Sequence, residues 1–262
     1  MKFVKSVLFV CLSAGIASCE KVIDVDLNTA SPKYVIEGTI DNKSDKHWVV
    51  ITQTKNFDEN NSFTGITGAT VVIKDLSGSV DTLKPIKDGV YETQILKGIP
   101  GHTYQLYVNI GGEVFTAQSY MPSVVKLDSL SLAKSEFASQ NGVDILVVPH
   151  FTDPGGVRNY YRFAFYLNNI KSKSVIVRND ERFDGKATHQ AFRGVDAEPL
   201  SGDSIEIQMQ CIDEWVYKYF YSLEQTIGQN AATPANPVSN ITGGALGYFS
   251  AYTVDSKKIL IP

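Results

Sequence analysis

The sequence predicts a mainly β protein: an N-terminal β-sandwich followed by a second β-rich domain that carries one amphipathic helix. Three observations lead there. Short runs rich in β-branched and aromatic residues recur at regular spacing between polar turns from Lys33 onward. Tight-turn pairs punctuate them, with Asp88-Gly89 and Gly111-Gly112 the clearest. A single stretch, Asp213–Ile227, changes the apolar period from two to 3.6.

Residues 1–18 stand apart from that pattern. Lys2 and Lys5 precede the apolar run Val7-Leu8-Phe9-Val10-Cys11-Leu12, which is shorter than the roughly 20 residues a membrane span needs. This is the layout of a secretory signal peptide. It ends at Ile16-Ala17-Ser18-Cys19, which resembles a bacterial lipobox, and Cys19 is the expected lipidation site and mature N-terminus. The mature chain begins Glu20-Lys21, then Val22-Ile-Asp-Val-Asp-Leu27 alternates as a half-buried strand does. Either it docks and holds the protein near a membrane, or it stays loose as a tether reaching about Pro32.

Charge excludes one class of partner. Residues 1–18 carry two of the 24 basic residues and none of the 28 acidic ones, so the mature net charge is −6. Nucleic-acid binders cluster Lys and Arg, and this chain does not. Cys11 leaves with the signal and Cys19 takes lipid, so Cys211 has no disulfide partner. It closes the alternating run Ile205–Cys211 on the side of Ile205, Ile207 and Met209, as a small buried hydrophobe.

Residues 19–122 form the first predicted domain. Tyr34–Ile40, Trp48–Thr52 and Val71–Ile73 are its first strands, and Gly111-Gly112 joins Tyr104–Ile110 to Glu113–Tyr120. The order Gly68–Ile73, Asp88-Gly89-Val90-Tyr91, Pro100–Tyr104 resembles Ig-like sandwiches of the transthyretin-like and carboxypeptidase-regulatory type. Met121-Pro122 marks the boundary, since proline ends strand pairing.

Residues 123–262 form the second. Strands are expected at Leu127–Leu132, Val143–Phe151, Tyr160–Leu167 and Val175–Val177, with a last one at Tyr248–Val254. Alternation places Tyr161, Phe163, Phe165 and Leu167 in the core, with Tyr160, Arg162 and Tyr166 opposite. In the helix, residues 213–227, Trp215, Val216, Tyr219, Phe220, Leu223 and Ile227 share a face, Asp213 suits an N-cap and Gly228 a C-terminal stop.

Several stretches together resemble the domain of unknown function 4249 family, lipoproteins of Bacteroidota. They are Cys19–Leu27, Tyr34–Gly38, Asn159–Phe163, Phe183–Lys186, Leu200–Asp203, Tyr217–Leu223 and Pro237–Asn240, running to Gly247–Phe249. The resemblance implies an outer-membrane, lipid-anchored protein, encoded beside TonB-dependent receptors and exposed on the cell surface. It brings no catalytic residues and no cofactor.

The chemistry of known enzymes is not written in the chain. It has no G-x-S-x-G, H-E-x-x-H, P-loop or C-x-x-C motif. His47, His102, His150 and His189 are scattered, reading as surface or strand-end residues, so no metal site is expected. Asp41-Asn-Lys-Ser-Asp45 lacks the ligands of a calcium loop, and Asp58-Glu-Asn-Asn61 reads as a solvated loop. Asp180, Glu181 and Asp184 offer paired carboxylates, among Arg178 and Arg182, either for acid–base work or as an ion-pair loop. Asp81-Thr82-Leu83, Asp128-Ser129-Leu130 and Asp203-Ser204-Ile205 resemble O-glycosylation sites of exported Bacteroidota proteins.

The expected function is therefore that of a non-enzymatic accessory lipoprotein, binding a ligand or a TonB-dependent receptor. The alternatives are an exported carboxylate hydrolase and a structural or adhesive surface module. The loop Gln229–Gly247 is the candidate partner-facing segment, with Asn240, Gly243, Gly244, Gly247 and Tyr248 as its binding residues. The competing reading has the same loop closing a sheet edge.

Overall fold

The computed structural model describes residues 31–55, 64–134, 145–193, 199–227 and 236–262. Cys19, the strand expected at residues 22–27 and the Asp58–Asn61 cluster lie outside them, as do Gly228 and residues 229–235 of the candidate loop. The described residues form three sheets and one helix.

The longest sheet has nine strands. One side contains β1 (Tyr34–Asp41), β2 (Trp48–Gln53), β5 (Lys84–Lys87) and β6 (Val90–Glu92). The other contains β11 (Tyr160–Leu167), β12 (Ile170–Lys171), β13 (Ile176–Asn179) and β15 (Ser204–Ile212). The long strand β16 (Leu246–Leu260) joins them. Its residues 246–252 run parallel to β1, and residues 253–260 run antiparallel to β15.

A four-stranded sheet holds β3 (Thr70–Asp75), β4 (Val80–Thr82), β7 (Thr103–Ile110) and β8 (Glu113–Tyr120). Period-two alternation decides its faces: Tyr104, Leu106, Val108 and Ile110 on β7, with Phe115 and Ala117 on β8, all point to one core. That core also takes Ile36 and Ile40 from β1, Val49 and Ile51 from β2, and Phe249 and Ala251 from β16. This first core is sandwich-like, and it draws on residues from both the start and the end of the described chain. Gly111 and Gly112 turn its β7–β8 hairpin with φ of 58° and 98°, values that L side chains disfavour.

A three-stranded sheet holds β9 (Ser129–Lys134), β10 (Ile145–Thr152) and β14 (Ala187–Thr188). The second core joins Val147 and Phe151 of β10 to Tyr161, Phe163 and Phe165 of β11 and to Ile205, Ile207, Met209 and Cys211 of β15. Met121 belongs to the first core and Val125 to the second, with Pro122 between them. Strand β16 contributes to the first core, and Ile261 just beyond it to the second.

The helix α1 (Glu214–Ile227) packs on the opposite face of the long sheet. Asp213 caps it: Val216 N–H donates to its Oδ1 at 2.9 Å. Its Oδ2 accepts from Tyr120 N–H at 3.0 Å and from the Ser119 hydroxyl, so one carboxylate ties helix to β8. Val216, Tyr219 and Phe220 are buried. Trp215 and Ile227 are 56% and 61% exposed, which corrects the expectation that they share the buried face. Trp215 sits one position before Val216, about 100° around the helix, and Lys218 Nζ covers its ring at 4.3 Å.

Candidate functional site

The outer face of the long sheet collects polar groups beside α1. Strand register shows how: Glu37 of β1 pairs with Tyr248 of β16, Asp41 with Tyr252, Arg162 of β11 with Gln210 of β15, and Tyr166 with both Glu206 and Lys171. Residues in register share a face, so their side chains emerge on one side. Tyr219 and Phe220 of α1 complete the wall, with ring centroids each 4.8 Å from that of Tyr248.

Arg162 is the hub. Its guanidinium lies 4.1 Å over the Phe220 ring and donates to Gln210 Oε1 at 3.0 Å. Its charge is felt by Glu37, Lys171, Tyr166, Tyr219, Tyr248 and Tyr252. Burial pushes the Tyr219, Tyr248 and Tyr252 phenols up, and Arg162 opposes that for all three.

Half of these polar groups have no hydrogen-bond or ion-pair partner among the described residues. Among the described residues, the hydroxyls of Tyr219, Tyr248 and Tyr252 make no hydrogen bond, and neither do the remaining donors of Arg162. None of them is sealed from solvent, because His47 Nε2 is the one buried side-chain nitrogen or oxygen without a partner there. Glu37 and Lys171 are exposed and have no ion pair at contact distance among the described residues. Even so, desolvation raises the Glu37 carboxyl and lowers the Lys171 ammonium. The charged ends therefore lie among the side chains of one sheet face beside α1.

A second polar cluster has the opposite character. Asp153, Asp180 and Asp184 place carboxylate oxygens within 4.8 Å of one another. Asp153 accepts from the Tyr161 hydroxyl and from Gly185 N–H at 3.1 Å. Asp180 accepts from Asn159 N–H at 2.6 Å, and Asp184 from Gly156 N–H at 2.7 Å. Glu181 pairs with Arg158 at 2.8 Å, and Arg158 also faces Asp180 at 3.7 Å. The carboxylates expected from sequence are thus brought together and joined by Asp153, but each is engaged by the two loops it links. A general acid or base needs a proton it can exchange with a substrate.

The candidate loop residues are equally engaged. Asn240 brackets one backbone position: its Nδ2 donates to Phe249 O at 2.7 Å, and Phe249 N–H donates to its Oδ1 at 2.9 Å. Ser239 Oγ donates to Gly247 O at 2.8 Å, and Ser119 Oγ accepts from Ala251 N–H at 2.8 Å. Side chains therefore satisfy backbone groups of β16 that β1 leaves free. A Cβ on Gly243 would lie 2.6 Å from Val114 O, and one on Gly247 only 2.1 Å from Ile36 O. Gly244 faces open space, and Tyr248 belongs to the aromatic wall. Gln118, Trp215 and residues 239–242 line a cavity of about 310 Å³.

The histidines separate in the fold. His47 immediately precedes β2, a strand-end position, and is buried there, with its N–H and C=O paired with Thr93 across the β2–β6 seam. His102 pairs with Asp75 at 2.8 Å. His150 and His189 stack at 6.3 Å. Cys211 is buried, and desolvation pushes its thiol up, away from reactivity. Thr82 and Ser129 are exposed, whereas Ser204 is buried.

A family model for the domain of unknown function 4249 matches residues 20–258. The chain belongs to this family. No curated protein matches it. Among solved structures, the chain is similar to a DUF4785 family protein from Legionella pneumophila, with 14% identity and a TM-score of 0.26 over 68% of this chain. The match spans about half of that protein, 51% of its length. The family's members were recognisable from motifs along the whole chain. Within it, Arg162 and Tyr166 were placed on the outer face by alternation alone. Glu37 and Tyr252 were missed because only the β1–β16 pairing brings them together, Lys171 because the short β11–β12 hairpin was not anticipated, and Asp153 because two separate loops converge on it.

Proposed function

We propose that this member of the domain of unknown function 4249 family is a lipid-anchored accessory protein of the outer membrane, facing the cell surface. It binds a ligand, alone or together with a TonB-dependent receptor, and does not catalyse a reaction. The observation that carries this reading is the Arg162 face, where phenols, an ammonium and a carboxylate share one sheet face without hydrogen-bond partners among the described residues. Such groups are stabilised when a ligand supplies the missing hydrogen bonds. The lipobox ending at Cys19 supports the anchor, and lipid attachment at one thiol needs further acyl chains to hold firmly.

Two measurements test it. The membrane-extracted protein should have an intact mass that begins at Cys19 with added acyl groups, and Cys19→Ala should release it from the membrane. An unacylated chain starting elsewhere overturns the anchor. Native co-purification should recover an outer-membrane receptor with the wild-type chain; recovery of the protein alone, in every detergent that preserves the receptor, overturns the partnership.

A further inference from the structure

We propose that the Arg162 face binds a small hydroxylated monocarboxylate, the chemistry of an acidic sugar. The inference deepens the ligand-binding reading above and rests on it. Three features of the face select that class.

Charge comes first. Arg162 and Lys171 are cations that Glu37 does not contact, and Glu37 is the acid whose carboxylate is left without a donor. Arg162 and Lys171 give a ligand carboxylate two cations to meet. A dianionic phosphate would meet Glu37 with an excess of like charge. Asp41 and Glu206 flank the face and keep their charge, since the Lys43, Ser44 and Gln208 N–H groups that donate to them are neutral, so a second negative charge on the ligand is opposed there too.

Donor geometry comes second. A guanidinium offers a planar fork that matches a carboxylate, and Gln210 fixes one nitrogen of it while Phe220 fixes its plane. The fork is therefore oriented before any ligand arrives, which lowers the entropy lost on binding.

Hydroxyl matching comes third. Tyr219, Tyr248 and Tyr252 present phenols that both donate and accept, and Glu37 is an acceptor for a ligand O–H. Alternating donors and acceptors around one cation suit a ring with several hydroxyls better than an apolar acid. The aromatic wall adds ring edges and faces for its C–H groups.

The test is isothermal titration of the full-length, detergent-solubilised chain with galacturonate, with the neutral sugar galactose alongside. The expected result is saturable binding of galacturonate, at least about tenfold tighter than galactose. Arg162→Met keeps a long side chain over Phe220 and should weaken binding about tenfold or more. Lys171→Ala, at an exposed position, should weaken it by a smaller factor, and Tyr252→Phe likewise. Equal affinity for the neutral sugar, unchanged affinity in both Arg162→Met and Lys171→Ala, or no binding at about 10 mM ligand overturns the proposal. Equal displacement by acetate would show that the carboxylate alone is read and would overturn the sugar assignment. Cys19 acylation and receptor co-purification are scored separately, so failure here is distinguishable from failure of the accessory-protein reading.

Discussion

The Asp153 loops and the Arg162 face are both polar clusters built at strand ends and on strand faces, yet they treat their charges in opposite ways. At the loops, backbone N–H groups, a phenol and Arg158 engage the carboxylates. On the face, Glu37, Lys171 and three tyrosine hydroxyls are left to solvent. A saturated cluster holds a fold together, because losing one member strands the others. An unsaturated one contributes little to stability and is available to something outside the chain. Composition does not separate the two; partner accounting does.

The largest effect should come from breaking the saturated cluster. Asp153→Ala removes the acceptor of the fully buried Tyr161 hydroxyl and of Gly185 N–H. The expected loss is about 2–4 kcal/mol in urea denaturation. A loss below about 0.5 kcal/mol would place the loops with the ligand-ready groups instead. Asn240→Ala should come next, at about 1–3 kcal/mol, because it uncovers both backbone groups of Phe249. Unchanged stability with lost receptor capture would instead make the loop a partner surface.

His47 sharpens the comparison through pH. Its Nδ1 faces Asp41 N–H at 3.4 Å as the acceptor, so the neutral ring carries its proton on the buried Nε2. Desolvation holds its pKa below the ordinary 6.5, against the opposing field of Asp41. A depressed folded pKa means the contribution is present above about 6.5 and is lost as pH falls toward the folded value. Stability should therefore decline below pH ~6.5, by at most about 1.4 kcal/mol per pH unit from this group. His47→Leu should flatten that decline relative to wild type; an identical slope in both chains refutes the assignment. The smallest effects belong to the open face. Glu37→Gln and Lys171→Ala should each change stability by less than about 0.5 kcal/mol, and a thermal melt showing a larger loss would mean these groups are structural.

The two regions also differ in how far sequence reveals them. Asp180, Glu181 and Asp184 lie within five residues, so their clustering was evident, and only Asp153 had to come from another loop. Arg162 and Tyr166 showed their side of β11 because alternation needs no tertiary information. Glu37 and Lys171 are distant in sequence, and nothing local says that β16 will carry Tyr248 and Tyr252 between them. The strand-end place of His47 was legible but its burial was not, since the burial goes with β6 pairing across the seam. The strands, the helix with its Asp213 cap, and the two apolar sets were legible because each follows from short-range periodicity and capping chemistry. Trp215 was not, because a helical face is wide enough to include a residue that the sheet beneath never touches.

Strand β16 has a consequence for the order in which this chain can mature. Val35 needs Leu246, and Tyr252 must reach Asp41, before the first core closes. Synthesis runs from the N-terminus, so β1 emerges early and waits for its parallel neighbour through nearly the whole of translation. During that wait Ile36 and Ile40 lack the cover of Phe249 and Ala251. The chain therefore cannot lock its first half prematurely. Strand β16 is thus a clasp that closes the first core only after every other strand of that core has been made.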